Sequence, residues 1–571
     1  MWRLIKRIPF WAMVGAVVFA LSQAIGELLL PTQTARIIDE GVAVGDMNAI
    51  YSIGGQMILI TLLVILSAAV SVFIAARTSQ NLGRKLRNEI YSKVLRFSKE
   101  NMGEYGEASL ITRSSNDIQQ VEITIMMIMR MVLLSPAMLV SAVVMAVMAS
   151  PQLSMVYAVT GPILAILIFV ILRIVSPYFK SMQQKVDNLN LIFREGLTGV
   201  RVVRAFNKSN YEVERFAEAN KDYADTAIKA MLRMSFLMPI MTTILSLTNI
   251  TLSWRGAQLV AAQNLSVGVI LSFVNYSFII MFSFMMLGMI FVILPRAQVS
   301  AQRINEILDT EITIHSPENP AYIDPKAPGV VSFNDVSFRF GQAEKKVVDD
   351  INFEVNPGET LAIIGGTGSG KTTIANLLLR FSDATTGSVK VNSEDVRDLS
   401  LKNLRDLIGY VPQKANLFAG TIRENLKYGN ADATDDELWY ALRIAQSEDF
   451  VRELPDGLDA HVAQGGNNFS GGQKQRLCIA RAIVKQANIY VFDDSFSALD
   501  NTTDRNLREA LNEVTQDAAT IIIAQRVSTI IEADTIVVLD KGEISGIGTH
   551  QELLSNEVYR EIVDSQMKGA N

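Results

Sequence analysis

The residues best suited to chemistry lie in the second half of the chain. Gly365–Thr372 reads GGTGSGKT. The glycines Gly365, Gly366, Gly368 and Gly370, with Thr367 and Ser369 between them, let backbone N–H groups wrap phosphate oxygens. Lys371 is spaced to reach β- and γ-phosphates, and the Thr372 hydroxyl, beside Thr373, to ligate Mg²⁺. Thr360–Ile364 before this loop reads as a short apolar strand and Thr372–Arg380 after it as a helix, the context this motif requires. Ser470–Gln473 (SGGQ) follows downstream. Ile489–Phe492 is an apolar strand ending in Asp493, suited to hold Mg²⁺ through water, and Asp494 comes next. A later strand, Thr520–Ala524, ends in Gln525, whose amide donates a hydrogen bond but cannot shuttle a proton. The three histidines are His315, His461 and His550, none near Gln525. The set is better equipped to bind a nucleotide than to cleave one.

These residues need a scaffold, and the composition divides it in two. Of 571 residues, 49% are apolar, and the mean hydropathy is +0.24. Long apolar runs fill the chain before about Pro295, and a mixed α/β composition follows. A net charge of -6 without a basic stretch argues against nucleic acid as a partner. The single cysteine, Cys478, excludes an intrachain disulfide and a cysteine-rich metal site.

Six stretches are long enough to cross the ~30 Å hydrocarbon core of a bilayer as helices: Pro9–Leu30, Ile53–Ala76, Met127–Ala149, Leu153–Val175, Phe236–Val260 and Val267–Leu294. The first lacks a small-residue cleavage pattern and precedes five more spans, so it reads as a retained helix rather than a signal peptide. Basic residues cluster before the first span and after the second and fourth. The positive-inside rule therefore places both termini and two long helical loops in the cytoplasm, and in a bacterium this is the cytoplasmic membrane. Glu27 sits inside the first span, where a charge is costly unless it faces water or a partner. Asn249 and Asn275 are candidate polar wall residues. Tyr276, Phe282 and Met286 belong to a Met- and aromatic-rich last span, suited to a cavity that re-packs around varied apolar ligands; helix packing or lipid contact would use the same residues. The sequons at Asn249 and Asn264 read as chance matches.

Taken together, these segments resemble the ABC transporters. Gly365–Thr372 is similar to their Walker A motif, Asn468–Arg476 to their signature motif and Ile489–Asp493 to Walker B. Ser497–Asp500 resembles the D-loop, and Gln413, after Val411 and Pro412, the Q-loop glutamine that meets nucleotide and Mg²⁺. Phe340 stands where the family stacks an aromatic, usually Tyr, on adenine. The resemblance covers essentially the whole chain. It implies an all-α six-helix transmembrane domain (1–310), a proline-bearing linker (311–328) and an α/β P-loop nucleotide-binding domain (329–571). It also implies ATP and Mg²⁺ as cofactors, and two nucleotide domains closing head to tail. Each ATP then lies between one chain's Walker motifs and the other's signature, so Ser470, Gly471, Gly472 and Gln473 serve the partner's site. Short coupling helices are expected at Met102–Asp117 and Phe206–Phe216.

Two positions depart from the family. Asp494 replaces the glutamate that polarises water and is one methylene shorter. A misplacement of ~1 Å can cost about a hundredfold in rate. Gln525 replaces the histidine that contacts the γ-phosphate. His461 and Gln464 also depart from the glutamate-bearing pattern before the signature. One reading is tolerated drift in a homodimer. The other, favoured by two coordinated departures beside a complete signature, is the degenerate half of a bacterial heterodimeric multidrug exporter. Its partner would carry the competent glutamate and histidine, and its cargo would be hydrophobic, drug-like molecules. A lipid flippase subunit and an ATP-gated channel or regulatory subunit are the alternatives.

Overall fold

The computed structural model describes residues 1–341 and 343–568. The contacts divide the chain into two units. One comprises Met1–Lys93 and Glu107–Asp309, the other Val94–Gly106 and Thr310–Asn571.

The first unit is helical. Six helices are long and apolar enough to cross a membrane: α1 (Phe10–Val42), α2 (Met47–Val94), α3 (Glu107–Ala149), α4 (Pro151–Thr198), α5 (Ser209–Ala261) and α6 (Val267–Asp309). They outrun the apolar stretches because charged, helix-favouring sequence continues each helix beyond the hydrocarbon length. Apolar surface gives helices little reason to associate within lipid, so hydrogen bonds and close packing join them instead. Tyr157 on α4 donates to the Phe273 carbonyl of α6 at 2.5 Å. Ser272 donates to the Pro31 carbonyl at 2.6 Å, and Ser135 to the Ser283 carbonyl at 2.6 Å. The expected short helix at Phe206–Phe216 is instead a three-residue turn, 206–208, followed by the first turns of a longer helix. Val200–Ala205 ends there, Ser209–Ser235 begins, and Asn207 takes φ +54°, which asparagine tolerates better than most residues.

The second unit is a layered α/β structure. A six-stranded sheet contains β1 (Thr360–Gly365), β2 (Ile408–Val411), β3 (Ile489–Asp493), β4 (Ala519–Ile523), β5 (Thr535–Asp540) and β6 (Glu543–Gly548), in the order β6-β5-β1-β4-β3-β2. Only β6 runs antiparallel. Alternation along the strands divides the core: Ala362, Ile364, Tyr490 and Phe492 pack on one face, and Leu361, Ile363, Ile489 and Val491 on the other. Both faces are covered, so the strands read as continuous apolar runs. A smaller antiparallel sheet joins Val348–Val355, Val331–Phe338 and Thr386–Val391.

Val94–Gly106 holds a short helix, Lys99–Tyr105, closed by a capping box between Ser98 and Asn101. Gly106 at φ +71° divides the expected Met102–Asp117: this helix ends there, and helical structure resumes at Glu107. Lys99 N–H donates to the Phe381 carbonyl. The segment 310–330 is tied to the same unit through Ala321 N–H to the Asp398 carbonyl and Ile323 N–H to Asn403 Oδ1 at 3.0 Å.

Candidate functional site

The phosphate loop leaves β1 and enters α7 (Lys371–Leu378) with Gly370 as its N-cap. Two glycines are sterically required. Gly370 has φ +99°, and a Cβ there would lie 2.5 Å from Val348 Cγ1; one at Gly365 would lie 2.2 Å from the Leu539 carbonyl oxygen. The loop therefore threads between β5 and the smaller sheet, leaving the α7 N-terminus free to face an anion. Lys371 Nζ donates to the carbonyls of Gly365 and Gly366 at 2.7 and 2.8 Å, so the loop itself positions its cation. Burial pushes the Lys371 ammonium below the usual lysine range, against the opposing pull of Asp494 and Asp493. Phe340 lies beyond Val331–Phe338, 42% exposed, with its ring edge-on to Phe338 at 4.9 Å.

Strand register brings the acidic pair to the loop. Ile523 of β4 pairs with both Asp493 of β3 and Ile363 of β1, so Asp494 and Gln525 emerge from the sheet together. Asp493 is 1% exposed. Its Oδ1 accepts from the Thr372 hydroxyl at 3.1 Å, while its Oδ2 is buried without a hydrogen-bond partner. Burial raises its pKa above the usual carboxylate range, opposed by the Thr372 hydroxyl, Lys99 and Lys371. A hydroxyl beside an orphaned buried carboxylate oxygen fits a hydrated divalent cation.

Asp494 is held differently. Its backbone is left-handed, φ +50°, and its N–H donates to the Ile523 carbonyl at 2.8 Å. One carboxylate oxygen, Oδ2, accepts two amides: Gln525 Nε2 at 2.7 Å and Gln413 Nε2 at 3.2 Å. The two departures from the family thus touch each other, and the Q-loop glutamine joins them. Gln566, on the C-terminal helix α9 (Glu557–Lys568), holds the loop carrying Gln525. It donates to the Gln525 carbonyl at 2.7 Å and accepts from Val527 N–H at 2.8 Å. The sequence offered no signal for Gln566, since no motif includes it.

Ser470 is the N-cap of α8 (Gly471–Val484), and Gln473 closes a capping box with it. A Cβ at Gly472 would lie 3.3 Å from the Ala498 carbonyl oxygen, so the D-loop packs against the signature glycine. Among the described residues, no hydrogen bond joins Ser470–Gln473 to the phosphate loop.

In the helical unit, Glu27, Phe282 and Met286 line one cavity of about 740 Å³, together with Gln23, Arg130 and Met138. Gln23 Nε2 donates to Glu27 at 2.8 Å. The other three candidates lie elsewhere. Tyr276 is 1% exposed, packed in the core with its hydroxyl 2.8 Å from Thr32 Oγ1. Asn275 is turned back to the Leu271 carbonyl at 3.0 Å. Asn249 lies off the cavity wall with a buried, unpaired Oδ1.

The comparisons agree with this geometry. Residues 13–284 match the family model described as the ABC transporter transmembrane region, and residues 348–497 the model described as ABC transporter. An ABC transporter ATP-binding protein of Mycobacterium tuberculosis is 38% identical, over 96% of this chain and 95% of its own. The chain belongs to the ABC transporter family. As an ABC transporter it is a multi-pass membrane protein with an ATP-binding domain, an ATPase coupled to transport. A Bacillus subtilis relative named as a probable multidrug resistance ABC transporter ATP-binding/permease protein is 32% identical, over 96% of this chain and 94% of its own. The solved structure of a bacterial Atm1-family ABC exporter with ATP bound is 25% identical with a TM-score of 0.79, covering 97% of this chain and 98% of that one. The architecture is therefore the exporter fold of six apolar helices followed by an α/β nucleotide-binding domain.

Proposed function

We propose that this chain is one half of a heterodimeric exporter of amphipathic, drug-like compounds, and that its own Walker side binds ATP without rapid hydrolysis. The observation that carries the reading is the Asp494 carboxylate accepting both Gln525 and Gln413 amides on one oxygen. A short carboxylate committed to two amides is poorly placed to orient an attacking water. Gln525 can donate to the γ-phosphate but offers it no positive charge. Lys371 and the α7 N-terminus neutralise phosphate charge, and Thr372 with Asp493 would hold Mg²⁺, which supplies further neutralisation when bound. Ser470 and the α8 N-terminus complete the partner chain's site, where a glutamate and a histidine perform hydrolysis.

ATP at this chain's Walker side then acts as a long-lived clamp, and turnover elsewhere drives the cycle. The termini and nucleotide domain face the cytoplasm, and the apolar cavity bearing Glu27, Phe282 and Met286 receives cargo. The clustering of flexible methionines there supports varied, apolar substrates.

The test is purification from the native host. A second ABC half-transporter is expected to accompany this chain, and the isolated chain should turn over ATP slowly. A homodimer of this chain alone, hydrolysing ATP at the rate of ordinary pumps, would overturn the reading.

A further inference from the structure

Charge changes abruptly along one face of α4. Positions 165, 169 and 172 on this stripe are Ala, Phe and Leu; positions 173, 176, 180 and 183, at helical spacing, are Arg, Ser, Lys and Gln. This face, with Phe284, Leu287 and Arg296 of α6, lines a second cavity of about 900 Å³. Its lining contains three cations, Arg173, Lys180 and Arg296, and no carboxylate. Among the described residues none of the three has an ion-pair partner.

A bias toward basic residues at the inner ends of membrane helices would by itself explain scattered cations. It does not by itself gather three of them on one cavity wall without a carboxylate. The next lysine along α4, Lys185, has Asp222 at 2.5 Å, and the next arginine along α6, Arg303, has Asp117 at 3.9 Å. Arg194, further along α4, is unpaired as well among the described residues, so the cavity is distinguished by what its wall combines: three cations, no carboxylate and an apolar stretch beside them. Arg173 lies roughly 33 Å along α4 from Pro151, at ~1.5 Å per residue. That is about one hydrocarbon thickness, so Arg173 stands at the inner edge of the hydrocarbon with apolar wall beside it, and Lys180, about 10 Å further along α4, lies beyond that edge on the headgroup side.

We infer that this cavity binds an anionic amphiphile drawn from the inner leaflet, its acid group held by Arg173, Lys180 and Arg296 and its tail against Phe169, Leu172 and Phe284. The assignment rests on the reading of the chain as an exporter of amphipathic compounds and narrows the sign of their charge. Guanidinium and ammonium donors give charge-assisted hydrogen bonds to carboxylate or phosphate, and each is worth most where water is scarce.

The experiment uses the full chain, with its co-purifying partner, in phosphatidylcholine nanodiscs without nucleotide. Binding of a pyrene-labelled fatty acid is compared with that of the matching pyrene-labelled quaternary ammonium amphiphile. The fatty acid should bind about tenfold or more tightly. R173Q/K180Q/R296Q should remove that preference, and R173K/R296K should keep most of it. All three side chains are exposed to the cavity, and unchanged melting and elution will show that the variants fold. Displacement of the probe by phosphatidylglycerol in the disc is expected if the source is a bilayer lipid. Displacement by inorganic phosphate alone would overturn the assignment, because a tail would then be unnecessary. Equal affinity for the two probes, or a preference surviving in the triple glutamine variant, would also overturn it. Active efflux of dyes without charge preference would sink this inference and leave the exporter reading intact. Selective binding without any efflux would do the reverse.

Discussion

In the nucleotide unit, Thr372, Asp493, Asp494, Gln525 and Gln413 are joined by hydrogen bonds of 2.7–3.2 Å. Along the first membrane cavity, Phe282 is 56% exposed and is one of several Met, Leu and Phe side chains that could each fill the same volume. Phosphate is recognised by atoms whose positions are fixed by strand register. An apolar ligand is recognised by area, which many side chains supply interchangeably. Single substitutions should therefore act strongly in the first region and weakly in the second.

The largest effect is expected at Lys371. Lys371→Ala should weaken ATP binding roughly a hundredfold, since charged hydrogen bonds to two phosphates are lost; titration with a fluorescent ATP analogue measures it. A loss below about fivefold would mean that the backbone loop alone holds the phosphates.

Next comes the amide-clamped carboxylate. Asp494→Glu with Gln525→His should raise hydrolysis at this chain's Walker side by about tenfold or more. The gain is read as single-turnover cleavage in a complex whose other site is disabled. Failure to rise would put the block elsewhere.

Asp493→Asn should weaken Mg²⁺ about ten- to a hundredfold, the usual scale for losing a group that orients a metal's bound water. The same change removes a buried charge whose second oxygen is unpaired, so the melting temperature in EDTA should stay level or rise. A lower melting temperature in EDTA would show that the carboxylate stabilises the fold without metal.

The smallest effects belong to the membrane cavity. Phe282→Ala and Met286→Ala should each change dye affinity by less than about threefold, because neighbouring side chains can re-pack. Glu27→Gln should act only on cationic dyes. A tenfold loss from Met286→Ala alone would break the contrast between the two regions.

The contrast also governs how much was legible in the sequence. Gly365–Thr372 and Asp493 were readable because backbone wrapping of phosphate tolerates few residues, and flanking strands identify themselves by apolar runs. The contact between Asp494 and Gln525 was not readable, since it depends on β3 and β4 lying side by side in one register. On α6 the sequence did not separate Tyr276 and Asn275, which lie off the first cavity, from Phe282 and Met286, which line it. That helix is apolar nearly all round, so periodicity does not mark which face meets a cavity and which meets α1. The cationic stripe on α4 was present in the sequence as a spacing. Its meaning needed the unpaired state of Arg173, Lys180 and Arg296, which only coordinates supply.

Gln566 grips the Gln525 loop at two backbone positions two residues apart, the Gln525 carbonyl and the Val527 N–H. Helix α9 is thereby fastened to the edge of the ATP site. Truncation of α9 would leave both sheets whole and would still release the segment bearing Gln525. For anyone preparing this protein, α9 then belongs to the ATP site, and a boundary drawn before it removes the latch on Gln525.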